Sequence, residues 1–299
     1  MGDLLTKFES VSIAVDNRIT PADRKFCELN QAAYEAAILA YQELSFYWED
    51  MENAQNEYKT EIIGKYRHDY LHSDDGPRIS ADLIRRHIHA LHADYIRHIT
   101  FYFRDQYKIT VKDADIVRSL VPKEPEYRLR GDNSEYDAYL KSMQDMRVRY
   151  QDVVDQIMLR LDGRGLTEQA FYELRRKCQD AAYWANEKHE ARYERKKDVI
   201  CFKESFCAWR GWPYNDWNIY DKTKDLVKGL AHFETGSFDT FPDGMSQLTG
   251  WSGLETDVLE FPSCNKLKQI KLYKKGRIDV RFTSGTYAEE FIGKYLAAA

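Results

Sequence analysis

The sequence predicts a mainly α protein with a smaller α+β carboxy-terminal module: long helical hairpins or a bundle, then a β-hairpin and a terminal helix. Three observations carry this. Apolar residues recur every three or four positions through most of the first 186 residues. The texture changes near residue 198, where a short β-like run, Val199–Phe202, gives way to closely spaced aromatics. Near the end, two alternating segments flank Lys274-Lys275-Gly276-Arg277, the composition of a hairpin turn. At 299 residues the chain is long enough for two cores, and the change of texture divides it into a helical domain, 1–197, and a small α+β domain, 198–299.

The elements follow in order. Thr20-Pro21-Ala22-Asp23 is a helix start: a capping hydroxyl, a proline at the first helical position and an acid facing the dipole. From there Phe26, Leu29, Ala33, Ala36/Ala37, Ala40/Tyr41, Leu44 and Tyr47/Trp48 recur every three or four residues, and the helix is expected to run past Tyr58. Ser73-Asp74-Asp75-Gly76-Pro77 stops it, and Ser80 caps a second helix with Ile84, Ile88, Tyr95 and Ile99 on one face. Residues 121–134 read as a loop. A third long helix is expected from Tyr136 to Leu161, and a fourth runs from Thr167 to about Asn186. In the last module a helix spans Asp221 to about Phe233, Leu267–Tyr273 and Ile278–Phe282 form the hairpin, and Ser284 caps the closing helix.

Composition narrows the function classes. The chain is 43% hydrophobic and 31% charged, with a net charge of -5, so it is globular and not basic overall, although a local basic patch remains compatible. No apolar run reaches membrane-span length and the first residues lack a cationic-then-apolar leader, so no membrane partner is expected. Five scattered cysteines form no Cys-x-x-Cys pair, which points to a reducing, cytoplasmic setting without a disulfide framework or zinc knuckle. Phosphate-cradling glycine loops, the dinucleotide fingerprint, the nucleophile elbow and the His-Glu-x-x-His zinc motif are all missing. No cofactor is expected.

The terminal block, an aliphatic strand, a Lys-Gly turn, then Arg277-Ile-Asp-Val-Arg-Phe282 and an aromatic-bearing helix, resembles uncharacterised proteins of phage and integrative conjugative elements of Firmicutes. Tyr150–Ile157, Gly163, Glu168-Gln-Ala170 and Leu230–Glu234 with Gly236 are similar to the same group. It is a domain-of-unknown-function family sometimes fused to DNA methyltransferases. The resemblance implies a mobile-element setting and assigns no activity or catalytic residue.

Three constellations could carry chemistry. Six of the eight histidines lie between His68 and His98. Arg67-His68-Asp-Tyr-Leu-His72 and Arg86-His87-Ile-His-Ala-Leu-His92 resemble the Arg/His motif of the higher-eukaryote-and-prokaryote nucleotide-binding ribonucleases. That resemblance implies metal-independent RNA cleavage, with Arg67, His72, Arg86, His87 and His92 as candidates. The chemistry is sound: a near-neutral imidazole moves the 2′-hydroxyl proton while a guanidinium offsets phosphate charge. The plainer reading places these histidines at helix surfaces and boundaries. His68/His72 and His89/His92 also have the helical spacing of metal ligands but lack a carboxylate or cysteine partner, so no metal residue is assigned.

The second constellation is the terminal hairpin, where seven cations face the single acid Asp279 between Cys264 and Phe282. Lys271, Lys274, Lys275, Arg277 and Arg281 are its candidate DNA- or RNA-binding residues, arranged as a two-stranded basic ribbon. The alternative is a solvated strand face whose lysines guard a sheet edge. The third is the aromatic segment Trp209–Tyr220, which reads first as core filler and second as a stacking surface. Together these give a non-catalytic accessory protein that binds nucleic acid, or a nucleic-acid enzyme of the host or element. The alternatives are a ribonuclease and a protein inhibitor of a host defence nuclease.

Overall fold

The computed structural model of the chain describes residues 18–66, 81–127, 132–185, 190–250 and 253–297. Among them are eight α-helices, a five-stranded antiparallel sheet and a two-stranded hairpin, a mainly α fold with an α+β carboxy-terminal module. The elements are α1 (Pro21–Tyr66), α2 (Ala81–Tyr107), α3 (Asp113–Leu120), α4 (Ser134–Asp145), α5 (Tyr150–Leu159) and α6 (Leu166–Ala182). Then come β1 (Tyr193–Lys196), β2 (Val199–Phe202), β3 (Cys207–Arg210), β4 (Asp216–Ile219) and α7 (Asp221–Thr235). The chain ends with β5 (Val258–Glu260), β6 (Leu267–Leu272), β7 (Ile278–Phe282) and α8 (Gly285–Phe291), which runs into a π turn at Ile292–Leu296.

The chain forms two compact units, and they part between Gly165 and Leu166 rather than near residue 197. Hydrophobic burial explains the shift. Leu174, Cys178, Ala181 and Ala182 of α6 join the core built on the sheet, so the fourth sequence-read helix belongs with the strands that follow it.

In the first unit the cap of α1 forms as its sequence dictates. The Thr20 hydroxyl donates to the Asp23 carboxylate at 2.7 Å and accepts from the Asp23 backbone N–H at 3.2 Å. Tyr102 donates to the other Asp23 oxygen, fastening this end of α1 to α2. The face that α1 buries is not the one its composition suggested. Cys27, Tyr34 and Ile38 are buried, whereas Leu29, Leu44 and Tyr47 are exposed. Apolar side chains occur on more than one side of α1, so periodicity alone does not select its inner face.

The helix expected over 136–161 is two helices, broken at 146–149, where the backbone is extended. No glycine or proline lies in the break. Side chains from α1 and α2 take up its backbone groups instead. His92 Nε2 meets the Met143 carbonyl at 2.8 Å, and Gln42 donates to that of Gln144. The Val148 N–H donates to the Tyr34 hydroxyl, and the Tyr150 N–H to Gln31. These bonds replace the helical i→i−4 ladder and hold α4 and α5 against α1 and α2. The short helix α3 lies in a stretch that periodicity left unassigned.

In the second unit the strand order is β1-β2-β7-β6-β5, every neighbour antiparallel. Ile278, Val280 and Phe282 of β7, with Ile270 and Leu272 of β6 and Ile200 and Phe202 of β2, face a core shared with α6, α7 and α8. The Ser284 cap forms, its hydroxyl accepting from the Tyr287 N–H at 3.3 Å. The turn glycine Gly276 has φ of +83°, a conformation open to glycine without strain. The Ala297 carbonyl accepts hydrogen bonds from Arg175 and Gln179 of α6, so the last turn is anchored to the unit's first helix.

α6 and α7 approach closely at Gly229, where an added Cβ would lie 2.4 Å from the Cys178 sulfur. Gly229→Ala is therefore expected to destabilise the protein by about 1–3 kcal/mol through overpacking, despite the better helix propensity of alanine. Cys178→Ala in the same chain should recover part of that loss. Denaturant unfolding of the two single variants and the double variant measures it as a non-additive cycle.

Candidate nucleic-acid interface

Sheet topology changes what the basic hairpin is. β7 pairs with β6 on one edge and β2 on the other, so the segment is the middle of a sheet and not a free ribbon. Alternation places Asp279 and Arg281 of β7, and Arg277 just before it, on the face opposite the core, with Lys271 directly across from Asp279. Arg277 and Arg281 are four residues apart, about 13 Å along a strand, so the sequence-read cations fall into a turn group and a sheet-face group.

The side chains differ in what they are free to do. Arg277 makes a bidentate pair with Asp279 at 2.7 and 2.6 Å and lies 4.8 Å from the Tyr273 ring centroid, and Tyr273 donates to the same carboxylate at 3.0 Å. Burial pushes the Asp279 carboxyl up, but the hydrogen bonds from Arg277, Tyr273 and Cys201 outweigh it and hold the group below its usual range. Arg277 is thus an internal counterion before it is a phosphate ligand. Lys271 is half-buried, 5.4 Å from the Tyr273 ring, and exposed Arg281 lies 3.7 Å from Asp198. Lys274 and Lys275 are exposed at the turn, with the Lys274 ammonium 5.6 Å from the Trp209 ring.

That last contact joins the basic turn to the aromatic segment. β3 and β4 form a hairpin in which Trp209 faces Trp217, and a backbone bond just before β3 docks its open end on the β6–β7 turn. The Phe206 N–H donates to the Gly276 carbonyl at 2.9 Å, and a Cβ on Gly276 would lie 3.1 Å from the Ser205 nitrogen. The open end of the β3–β4 hairpin is therefore fixed beside the β6–β7 turn, and the β3–β4 turn lies at the hairpin's other end. The aromatics divide between two roles. Phe206 and Trp217 are core, whereas Trp212 is 89% exposed and Tyr214 66% exposed at the β3–β4 turn.

Arg210 braces that turn. It pairs bidentately with Asp216 at 2.7 and 2.6 Å and lies 4.8 Å from the Tyr214 ring. The Arg210 hydrogen bonds hold the Asp216 carboxyl below its usual range. Gly253 sits so close to Asp216 that a side chain there would overlap the carboxylate, which fixes the pair from behind. A polar cleft of about 250 Å³ opens beside Arg210, lined in part by Asn218, Tyr220 and Lys224. Trp212, Tyr214 and Arg210 are the residues that the hairpin reading missed. Their signal was the aromatic cluster itself, whose exposed and buried members sequence could not separate.

The histidine constellation has a different fate. Arg67, His68 and His72 lie outside the described residues. Arg86, His87 and His92 lie on one helix, but at 3.6 residues per turn Arg86 is about 100° from His87 and about 120° from His92. Arg86 lies over Tyr127 and Tyr136, His87 stacks on Tyr41, and His89 packs near Tyr139. His92 is fully buried, which removes it from contact with any RNA. Its Nε2 must donate, because the Met143 carbonyl can only accept. Its Nδ1 therefore accepts from the Tyr34 hydroxyl at 2.6 Å, which in turn accepts from the Val148 N–H. His92 is a neutral clamp within the first unit. Among the described residues no group of three His, Cys, Asp or Glu side chains could hold a metal ion, and no helix is long and apolar enough to cross a membrane.

Burial, the largest cause, together with the nearby His89 and Arg147, lowers the His92 pKa from its ordinary 6.5, and the Met143 hydrogen bond opposes this only in part. Below 6.5 the unfolded chain takes up a proton that folded His92 resists. Its contribution to stability is therefore full above 6.5 and is lost as pH falls from there through the lower folded value. Denaturant midpoints should drop between pH 7.5 and pH 5. His92→Leu should cost about 1–3 kcal/mol at pH 7.5 by stranding buried polar partners, and should flatten that pH dependence. His232, lowered chiefly by burial, supplies a residual slope that both proteins share.

Comparison of the chain with protein families, curated proteins and solved structures finds no match.

Proposed function

We propose that the second unit binds single-stranded nucleic acid along the β3–β4 hairpin and the β6–β7 turn seated on it, as an accessory protein of a mobile element. The carrying observation is the Lys274–Trp209 contact, which with the Phe206–Gly276 hydrogen bond seats the basic turn of Lys274 and Lys275 on the hairpin that carries exposed Trp212 and Tyr214. Bases stack on exposed aromatic faces irrespective of sequence, while nearby ammonium groups neutralise the strand's phosphates. Arg210 and Arg277 keep their carboxylate partners and act as braces for the two turns. The resemblance of the terminal block to mobile-element proteins supports the setting, and the local excess of cations on a chain of net charge -5 supports an anionic partner.

Fluorescence-anisotropy titrations of labelled DNA and RNA oligonucleotides against salt test this reading. Lys274→Ala with Lys275→Ala should flatten the slope of log affinity against log salt by about 1.4, or 0.7 for each phosphate contact to a single strand. Trp212→Ala should cost about 1–3 kcal/mol of binding. Arg281→Ala, on the sheet face away from the turns, should matter less. Binding absent at low salt, or indifferent to both turn variants, would falsify the proposal.

A further inference from the structure

The outer face of α1 carries a second surface. Lys25, Leu29, Ala32, Ala36, Leu39, Glu43, Phe46 and Asp50 follow an unbroken 4-3-4-3-4-3-4 spacing, and every one of them is exposed. Leu29 is 58% exposed, Leu39 56% and Phe46 62%, while Cys27, Tyr34 and Ile38 of the same helix face the core. Such a stripe is the seam of a coiled coil, and its small alanines allow a second backbone to come close.

The order of residues along it identifies the occupant. Turned end for end about a two-fold axis between Ala37 and Ile38, the stripe meets itself in layers. Lys25 then faces Asp50, Leu29 faces Phe46, Ala36 faces Leu39 and Ala32 faces Glu43. Every layer couples one seam position to the alternate one, the pairing an antiparallel coiled coil requires, and three of the four layers are complementary in charge, apolarity or size. From Lys25 to Asp50 the seam is about 38 Å long. The geometry points to an antiparallel homodimer through α1, with the second copy of this chain covering its outer face. Sliding by one heptad would put Lys25 against Glu43 and move Phe46 from Leu29 to Ala22 in the first turn, so the fuller burial of Phe46 selects the longer register.

Sedimentation velocity of the full chain at micromolar concentration tests it. The wild type should run at twice the 35.3 kDa chain mass. Leu39→Glu should run as a monomer with unchanged helical circular dichroism, because the side chain it replaces is exposed. Lys25→Asp should weaken the dimer about tenfold by setting like charges together, and Asp50→Lys in the same chain should restore it. A wild type that runs as a monomer, or a Leu39→Glu variant that stays dimeric, overturns the proposal. Restoration by Glu43→Lys but not by Asp50→Lys overturns this register.

Discussion

The second unit depends on one constraint: β7 is hydrogen-bonded along both edges. A strand between β2 and β6 has no free backbone to offer, so any partner must meet side chains on the open face or at the turns. The same placement puts Ile278, Val280 and Phe282 at the centre of the core, where α6, α7 and α8 converge. It also aligns Arg277 with Asp279, two positions along the strand on one face, so the strongest cation of the segment is neutralised locally. Lys274 and Lys275, where the strand pair turns, stay exposed to an external anion.

Features set by local chemistry were legible in the sequence. The Thr20–Asp23 and Ser284 caps, the Gly276 turn and the alternation of β6 and β7 each depend on a few adjacent residues, and each forms. Features set by distant side chains were not. The break at 146–149 contains no helix-breaking residue and exists because Tyr34, Gln42 and His92 capture its backbone groups from other helices. The inner face of α1 was misread for a related reason. Its alanines and leucines occur on both sides, and packing against Tyr95 and Tyr102, not periodicity, turns Tyr34 and Phe26 inward.

The candidate site follows the same division. A count of lysines and arginines locates a basic segment but carries no record of which charges are already answered. Arg277 with Asp279 was recoverable, since residues two apart share a strand face. Arg210 with Asp216 required knowing that β3 and β4 pair across the Trp212 turn. Trp212 and Trp217 look alike in sequence, yet one is exposed and the other fills the core, because a turn position and a mid-strand position differ in what can pack on them.

Burial separates structural from available chemistry throughout this chain. His92 and Asp279 each carry groups suited to catalysis or binding, and each is held by hydrogen bonds in a single state. Lys274, Lys275, Trp212 and Tyr214 of one unit, and Leu29, Leu39 and Phe46 of α1 in the other, are exposed instead. The two surfaces differ in physics as well as position. Phosphate contacts at the turns weaken as salt displaces them. The apolar layers of the α1 seam are indifferent to screening, and only its charged members, Lys25, Glu43 and Asp50, respond to it. The two proposed surfaces belong to separate units and are governed by forces that answer differently to salt, so each can be tested by its own salt dependence.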